Sequence, residues 1–216
     1  MTSTRAVLFD FDGTFADSAP DLAAAVNRMR SARGMQPLAP QVVRPFASMG
    51  ARGLLRIGFD LSPEDPSYAA MRDEFLDNYA RAICVHTQLF DGMPSLIAEL
   101  AARGVAWGIV TNKATRFTAR LVELLGVSPA CVICGDTTAH LKPHPAPLLA
   151  AAEQLKLAPA DCIYVGDDLR DIQAARAAGM RSIAVQWGYH GTETPGPATW
   201  NADALISHPA ELLEHL

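Results

Sequence analysis

Thirteen residues near the amino terminus, AVLFDFDGTFADS at 6–18, restrict the possible folds more than any other stretch of the chain. Ala6 to Phe9 is an uninterrupted apolar run with a β-branched residue and an aromatic, the pattern of a strand buried on both faces of a parallel sheet. The run ends in Asp10, and in an open α/β sheet the carboxyl ends of the strands border the crevice where ligands bind. Asp12 shares the side of Asp10 if the backbone stays extended for two more residues, and Gly13 then lets the chain turn. Two carboxylates this close repel unless a cation or a shared proton separates them. A calcium loop of the helix-loop-helix type is excluded, because Phe15 stands where that loop needs glycine and a strand, not a helix, precedes it. The plain alternative is a pair of solvated turn aspartates ahead of a helix that Asp17, Ser18 and Asp21 cap.

The residues that follow alternate between two rhythms. Ser18, with Pro20 and Asp21 behind it, predicts a helix start with the hydroxyl as N-cap, and the helix through Leu22, Ala25, Val26 and Met29 stops by Gly34. Residues 35–45 hold three prolines and read as a loop with at most one helical turn. Gly50 and Gly53 flank Arg52 and interrupt a helical pattern that resumes at Leu54; the glycines either bring backbone and guanidinium to a ligand or mark a plain bend. Tyr68, Met71, Phe75, Tyr79 and Ile83 recur at helical spacing after a punctuated start at 62–66. Residues 17–88 therefore predict a helical lid with no convincing strand. From residue 91 buried strands at 105–110, 131–134, 162–165 and 182–185 alternate with helices at 96–102, 114–125, 147–155 and up to Ala178. That alternation predicts an α/β fold with a doubly wound, Rossmann-like parallel sheet, whose core comprises residues 1–16 and 89–216, with 17–88 inserted after the first strand.

Composition narrows the partners. Half of the 216 residues are hydrophobic, enough for a full core, and 18 basic against 23 acidic residues give a net charge of -5 with no basic run to follow a phosphate backbone. Nucleic acid is therefore not an expected partner. No apolar stretch reaches the ~18 residues of a membrane helix and no signal-peptide pattern opens the chain, so a cytoplasmic location is expected and a membrane is not. Cys131 and Cys134 form a C-V-I-C, but with no second pair they read as inert core beside Val132 and Ile133.

Three strands end in groups that suit one reaction: Asp10 and Asp12, Thr111, and Asp167, with Lys142 on a nearby loop. Three carboxylates at one place demand a divalent cation, and an all-oxygen set beside phosphate favours Mg²⁺. With charge balanced in that way, Asp10 is the nucleophile of a phosphoryl transfer and Asp12 the general acid and base. Lys142, the Thr111 hydroxyl and the backbone N–H groups near Asn112 receive phosphate oxygens. Asp171, one helical turn beyond Asp167, faces the same way and steadies a metal-bound water or Lys142.

DFDGT at 10–14, VTNK at 110–113, KP at 142–143 and GDDLRD at 166–171, in that order, resemble the haloacid dehalogenase superfamily of phosphatases. The resemblance implies Asp10 as nucleophile, Asp12 as acid/base, Thr111 and Lys142 as phosphate ligands, Asp167 as a further metal ligand, and residues 17–88 as a cap domain. Asp12 argues against dehalogenation, since dehalogenases of that superfamily lack an aspartate there. Phe15 and Ala16 stand where an aliphatic pair is commoner. Within the superfamily, GAR at 50–52, SPEDP at 62–66, EFLDNYAR at 74–81 and VHTQLFDGMP at 85–94 resemble phosphoglycolate phosphatases and, more closely, phosphatases of N-acetylmuramic acid 6-phosphate. A small carboxylated phosphate ester is the implied substrate, with Arg52 as a contact for its carboxylate. Two rivals share the sheet type. A signalling receiver domain lacks the insertion and the D-x-D pair, and a phosphomutase differs in releasing an isomeric sugar phosphate in place of free phosphate.

Overall fold

The computed structural model describes residues 4–190 and 195–216. In chain order the elements are β1 (Ala6–Phe9), β2 (Ala16–Asp17), α1 (Ala19–Ala32), α2 (Pro40–Val43), α3 (Gly50–Phe59), α4 (Tyr68–Arg81), β3 (Gln88–Leu89) and α5 (Met93–Ala102). There follow β4 (Ala106–Val110), α6 (Thr115–Leu124), β5 (Cys131–Ile133), α7 (Ala146–Leu155), β6 (Cys162–Gly166), α8 (Leu169–Ala178), β7 (Arg181–Val185) and β8 (Ala204–Ile206). A 3₁₀ segment, Arg44–Met49, joins α2 to α3.

Six strands form a parallel sheet in the order β5-β4-β1-β6-β7-β8. The chain winds from β1 outward to β5 and then returns to the other side of β1, so the reversal point lies between β1 and β6, where open sheets of this kind bind ligands. Phe9 is level with Ile109 of β4 and Val165 of β6, so the residues just past the three strands share one edge.

Both faces of β1 are buried, as its apolar run predicts, and successive side chains go to different layers. Val7 and Phe9 join Ile109, Ile163 and Val185 beneath α5 and α6, whereas Ala6 and Leu8 join Ile133 and Tyr164 beneath α7 and α8. The first layer continues through Phe11 and Phe15 into the helical segment, where Leu22, Val26 and Met29 of α1 meet Leu54 and Leu55 of α3 and Phe75 and Tyr79 of α4. Each such side chain, fully buried, contributes roughly 1.5–3 kcal/mol. The helices between β2 and β3 thus share a core with the sheet.

Four sequence expectations change here. The segment reading as strandless begins and ends in a two-residue antiparallel ribbon, Ala16 opposite Leu89 and Asp17 opposite Gln88, too short to leave a periodic signal. A further strand, β8, pairs with β7 beyond the strand at 182–185 that reads as the last. Gly50 and Gly53 do not bend a helix: Gly50, at φ 58°, opens α3, and a Cβ on Gly53 would meet the carbonyl oxygen of Phe46. Asp21 is not a solvated cap either. It is buried, and its carboxylate accepts from the backbone N–H groups of Val85, His86 and Thr87 and from the Thr87 hydroxyl at 2.7 Å, tying α1 to the segment that leads into β3.

No helix among the described residues is long and apolar enough to cross a membrane. All four cysteines are free, and Cys131, Cys134 and Cys162 are buried. Burial pushes the thiols of Cys131 and Cys162 up to about 11, which leaves both protonated near neutrality. With an aromatic disulfide reagent at pH 8, the folded protein is expected to titrate Cys84 first and Cys131 and Cys162 only after denaturant is added. Rapid labelling of Cys131 or Cys162 in the folded state would contradict that burial.

Candidate active site

Asp10 stands one residue past β1, with its N–H on the carbonyl of Val165, and its side chain reaches the crevice at the sheet edge. Thr111 follows β4 and Asp167 follows β6, so adjacent strands deliver the groups that the sequence places together. Lys142 arrives from the loop ahead of α7. That loop is clamped to the strand end by Asn112, whose side-chain amide donates to the Lys142 carbonyl at 3.0 Å and accepts from the Lys142 N–H at 2.9 Å. The Asn112 side chain is therefore a positioning device.

The Lys142 ammonium is enclosed. Nζ lies 2.8 Å from Asp10 Oδ1 and 2.7 Å from Asp171 Oδ1, and donates to the Tyr164 hydroxyl at 2.6 Å and the Val110 carbonyl at 3.0 Å. Burial works against the charged form, but Asp10 and Asp171 outweigh it and leave the ammonium held above its ordinary value. Asp171 also closes the capping box of α8 by accepting from the Asp168 N–H, as Asp168 accepts from Arg170. Asp171 therefore contacts both Lys142 and the start of α8.

Asp167 is buried with no cation against it among the described residues. Its oxygens accept from the Thr14 hydroxyl at 3.1 Å, the Ser48 hydroxyl at 3.0 Å and the Tyr189 N–H at 2.8 Å. Burial first, then Asp10 and Asp171, push its carboxyl well above the usual range, and burial pushes Asp171 up to about 6 against the pull of Lys142. One oxygen from each of Asp10, Asp167 and Asp171 lies within 4.8 Å of the others. At that separation and an effective dielectric near 20, each pair of charges repels by about 3.5 kcal/mol, and one ammonium among three carboxylates leaves the group with net negative charge. The donor set is all oxygen and fits a hard divalent ion such as Mg²⁺. Gly13 and Gly188 border the cluster so closely that a Cβ on either would overlap the Asp167 side chain.

Asp12 meets this cluster differently from Asp10 and Asp167. Its carboxylate stays out of the cluster, with Oδ2 3.0 Å from Lys113 Nζ and Oδ1 accepting from the Ser18 hydroxyl. The Asp12 main-chain oxygen shares a partner with Asp167: the Ser48 hydroxyl that meets Asp167 also lies 3.4 Å from it. Ser18 is accordingly not a side-chain cap of α1. Lys113, which the sequence reading passed over, is half-buried beside Tyr79 of α4, 3.4 Å from the hydroxyl and 4.8 Å from the ring centroid. Its one legible signal is its place directly after Thr111 and Asn112 at a strand end.

A cavity of about 590 Å³ lies above Asp10 and Asp12 and is bounded by Thr111, Asn112, Lys113 and Lys142 on the sheet side. The stripe Arg72, Phe75, Leu76 and Tyr79 of α4 forms the facing wall, at helical spacing. Gly50 and Ala51 also line it, but Arg52 does not: its side chain is exposed and lies near Glu64. The guanidinium expected to meet a ligand is turned away, because α3 runs unbroken through Gly53 and carries position 52 to its outer side. The cluster also makes a thermal prediction. In chelator-treated protein, added Mg²⁺ is expected to raise the melting temperature in step with its concentration, and Asp167→Asn is expected to abolish that shift. An equal shift in the variant would show that the ion binds elsewhere.

The chain has counterparts among known proteins. Residues 7–185 match the family model described as haloacid dehalogenase-like hydrolase. The chain is 42% identical over 214 residues to an N-acetylmuramic acid 6-phosphate phosphatase of Pseudomonas aeruginosa, covering 98% of this chain and 94% of the relative. It is 47% identical over 210 residues to a phosphoglycolate phosphatase of Xylella fastidiosa, covering 95% and 90%. A crystal structure of a predicted phosphoglycolate phosphatase from Haemophilus somnus superposes with a TM-score of 0.86 at 25% identity, over 100% of this chain and 99% of that one. The chain therefore belongs to the haloacid dehalogenase-like hydrolase family and is one of its phosphatases.

Proposed function

We propose that the protein is a Mg²⁺-dependent phosphomonoesterase that works through an aspartyl-phosphate on Asp10, with N-acetylmuramic acid 6-phosphate as substrate. The observation that carries the reading is the division of labour between two neighbouring carboxylates. Asp10 is held by Lys142 within the carboxylate cluster, whereas Asp12 is held apart by Lys113 and Ser18, and both face one cavity. Residues 1–16 and 89–216 are the catalytic core, and residues 17–88 are a cap that supplies the facing wall.

In this mechanism an Asp10 carboxylate oxygen attacks phosphorus in line with the ester oxygen. The P–O ester bond breaks, and Asp12 in its protonated form gives its proton to the departing alkoxide. Water then attacks the aspartyl-phosphate. Asp12 takes the water proton, the bond to Asp10 breaks, and inorganic phosphate leaves. Thr111, Lys142 and the backbone N–H groups near Asn112 orient the phosphoryl oxygens, and Asp171 holds Lys142 in register. A Mg²⁺ held by Asp10, Asp167 and the Asp12 main-chain oxygen would supply the positive charge that offsets the phosphoryl oxygens.

The choice of ester rests on two supports. Curated relatives above 40% identity bear the names of phosphatases for two carboxylated esters, and the cavity of about 590 Å³, much of it walled by apolar side chains, has room for a sugar ring. Phosphoglycolate is the second reading, favoured by the 47% identity to the Xylella relative. With p-nitrophenyl phosphate and Mg²⁺, Asp10→Asn is expected to release no phosphate and Asp12→Asn to turn over slower by a factor of about 10² or more. Near-normal turnover in Asp12→Asn would remove it from the mechanism. A kcat/KM for 2-phosphoglycolate far above that for the amino-sugar phosphate would overturn the substrate assignment alone.

A further inference from the structure

We infer that Arg116 selects a carboxylate on the leaving group of the ester; the inference rests on the phosphatase reading above. The cations that line the cavity are not equivalent. Lys142 lies between Asp10 and Asp171, Lys113 lies 3.0 Å from Asp12, Arg170 lies 2.7 Å from Asp168, and Arg72 lies 2.9 Å from Asp73. Arg116 also lines the cavity, yet among the described residues it has no carboxylate partner. Its guanidinium lies over the ring of Phe117, 4.4 Å from the centroid, and Phe117 is itself buried and lines the same space. Stacking on an aromatic face orients a guanidinium while leaving its N–H edges open to a bidentate anion.

Its place on the helix adds a second reason. Arg116 stands in the first turn of α6, where the helix dipole disfavours a cation. The acid at that helix end, Asp136, accepts from the N–H and hydroxyl of Thr115 and not from Arg116. An arginine in that position, solvent-exposed but stacked on Phe117 and lining the cavity, is arranged to meet an anion that the protein does not provide. The phosphoryl group is not that anion, since Asp10, Thr111 and Lys142 hold it at the sheet edge. What remains is an anionic substituent on the alcohol, whose uncharged part lies against the Phe75 and Leu76 wall of α4. A carboxylate matches the guanidinium fork, and Arg52, outside the cavity, cannot do this work.

The test compares esters with and without the acid-bearing group. The kcat/KM of N-acetylmuramic acid 6-phosphate is divided by that of N-acetylglucosamine 6-phosphate, which lacks the lactyl acid. The same ratio is taken for 2-phosphoglycolate over ethyl phosphate. Arg116→Ala is expected to lower the ratio for the favoured acid about 10-fold or more, chiefly through KM, and Arg116→Lys to restore part of it. Arg120→Ala serves as the charge-matched control, because Arg120 shares α6, pairs with Glu123 and lies outside the cavity. An unchanged ratio in Arg116→Ala, or an equal fall in Arg120→Ala, would overturn the inference while leaving the phosphatase reading in place. An unaltered enzyme with no preference for either acid would also overturn it. An unaltered enzyme that hydrolyses neither these esters nor p-nitrophenyl phosphate would remove the phosphatase reading and the inference with it.

Discussion

Mutual repulsion among Asp10, Asp167 and Asp171 is the constraint on which the rest of the structure depends. Three carboxylates at one sheet edge are tolerable only if opposite charge is delivered with ångström accuracy, and much of the chain is arranged to deliver it. Lys142 can place its ammonium between two of them because Asn112 holds its backbone and because Tyr164 and Val110 offer oxygens to its remaining proton. Tyr164 serves twice, since its hydroxyl also donates to the Val110 carbonyl. Asp167, which the ammonium does not reach, is held by neutral donors from three separate segments, Thr14, Ser48 and Tyr189. The site is thus cross-linked by hydrogen bonds from the sheet upward, which suits the in-line transfer proposed for it.

The sheet was legible because a parallel arrangement turns sequence order into spatial order. Once the apolar runs are recognised as strands, the polar residue after each one falls on a common edge, and Asp10, Thr111 and Asp167 need no further information. Lys142 was legible as a lone lysine in a proline-rich loop between two such units. The elements that escaped are those with too few residues to carry a period. Two-residue β2 and β3 and three-residue β8 are defined by partners distant in sequence. Ser18 and Asp21 escaped for a different reason: both have the local signature of helix caps, and in both a tertiary partner won over the local one, Asp12 for Ser18 and the 85–87 backbone for Asp21. Arg52 shows the reverse error. Flanking glycines read as an opening toward a ligand, but one of them is small because a neighbouring carbonyl lies close to it. Ser48 gave no signal at all, sitting in a short 3₁₀ segment where hydroxyl direction has no periodic marker.

Core and insertion meet at charged contacts as well as through apolar surface. Lys113 spans from Asp12 to Tyr79, and Arg170 donates to the Ser48 carbonyl while paired with Asp168. Arg44, from the insertion, bonds Asp17 and stacks on Tyr189, whose hydroxyl donates to the same Asp17 and accepts from the Ala19 N–H. Because the Tyr189 N–H is on Asp167, the residue that bonds the start of the insertion also bonds the carboxylate cluster. A shift of the helical segment would therefore be felt directly at Asp167 and at Asp12.

The ribbon that joins the two parts has a consequence for how such proteins diversify. Ala16 lies opposite Leu89 and Asp17 opposite Gln88, so the chain leaves the core and returns to it at adjacent points. Seen from the sheet, the intervening residues are one long loop with its ends already closed, and a loop of another length or fold closes there at little added entropic cost. Transplanting a different helical segment onto this core is thus topologically easy. It is not chemically free, because a donor segment must bring its own hydroxyl to the place of Ser48 and its own aromatic to the place of Tyr79. Those two positions set the compatibility rule for recombination between cores and segments of this architecture, whatever alcohol the grafted segment was shaped to hold.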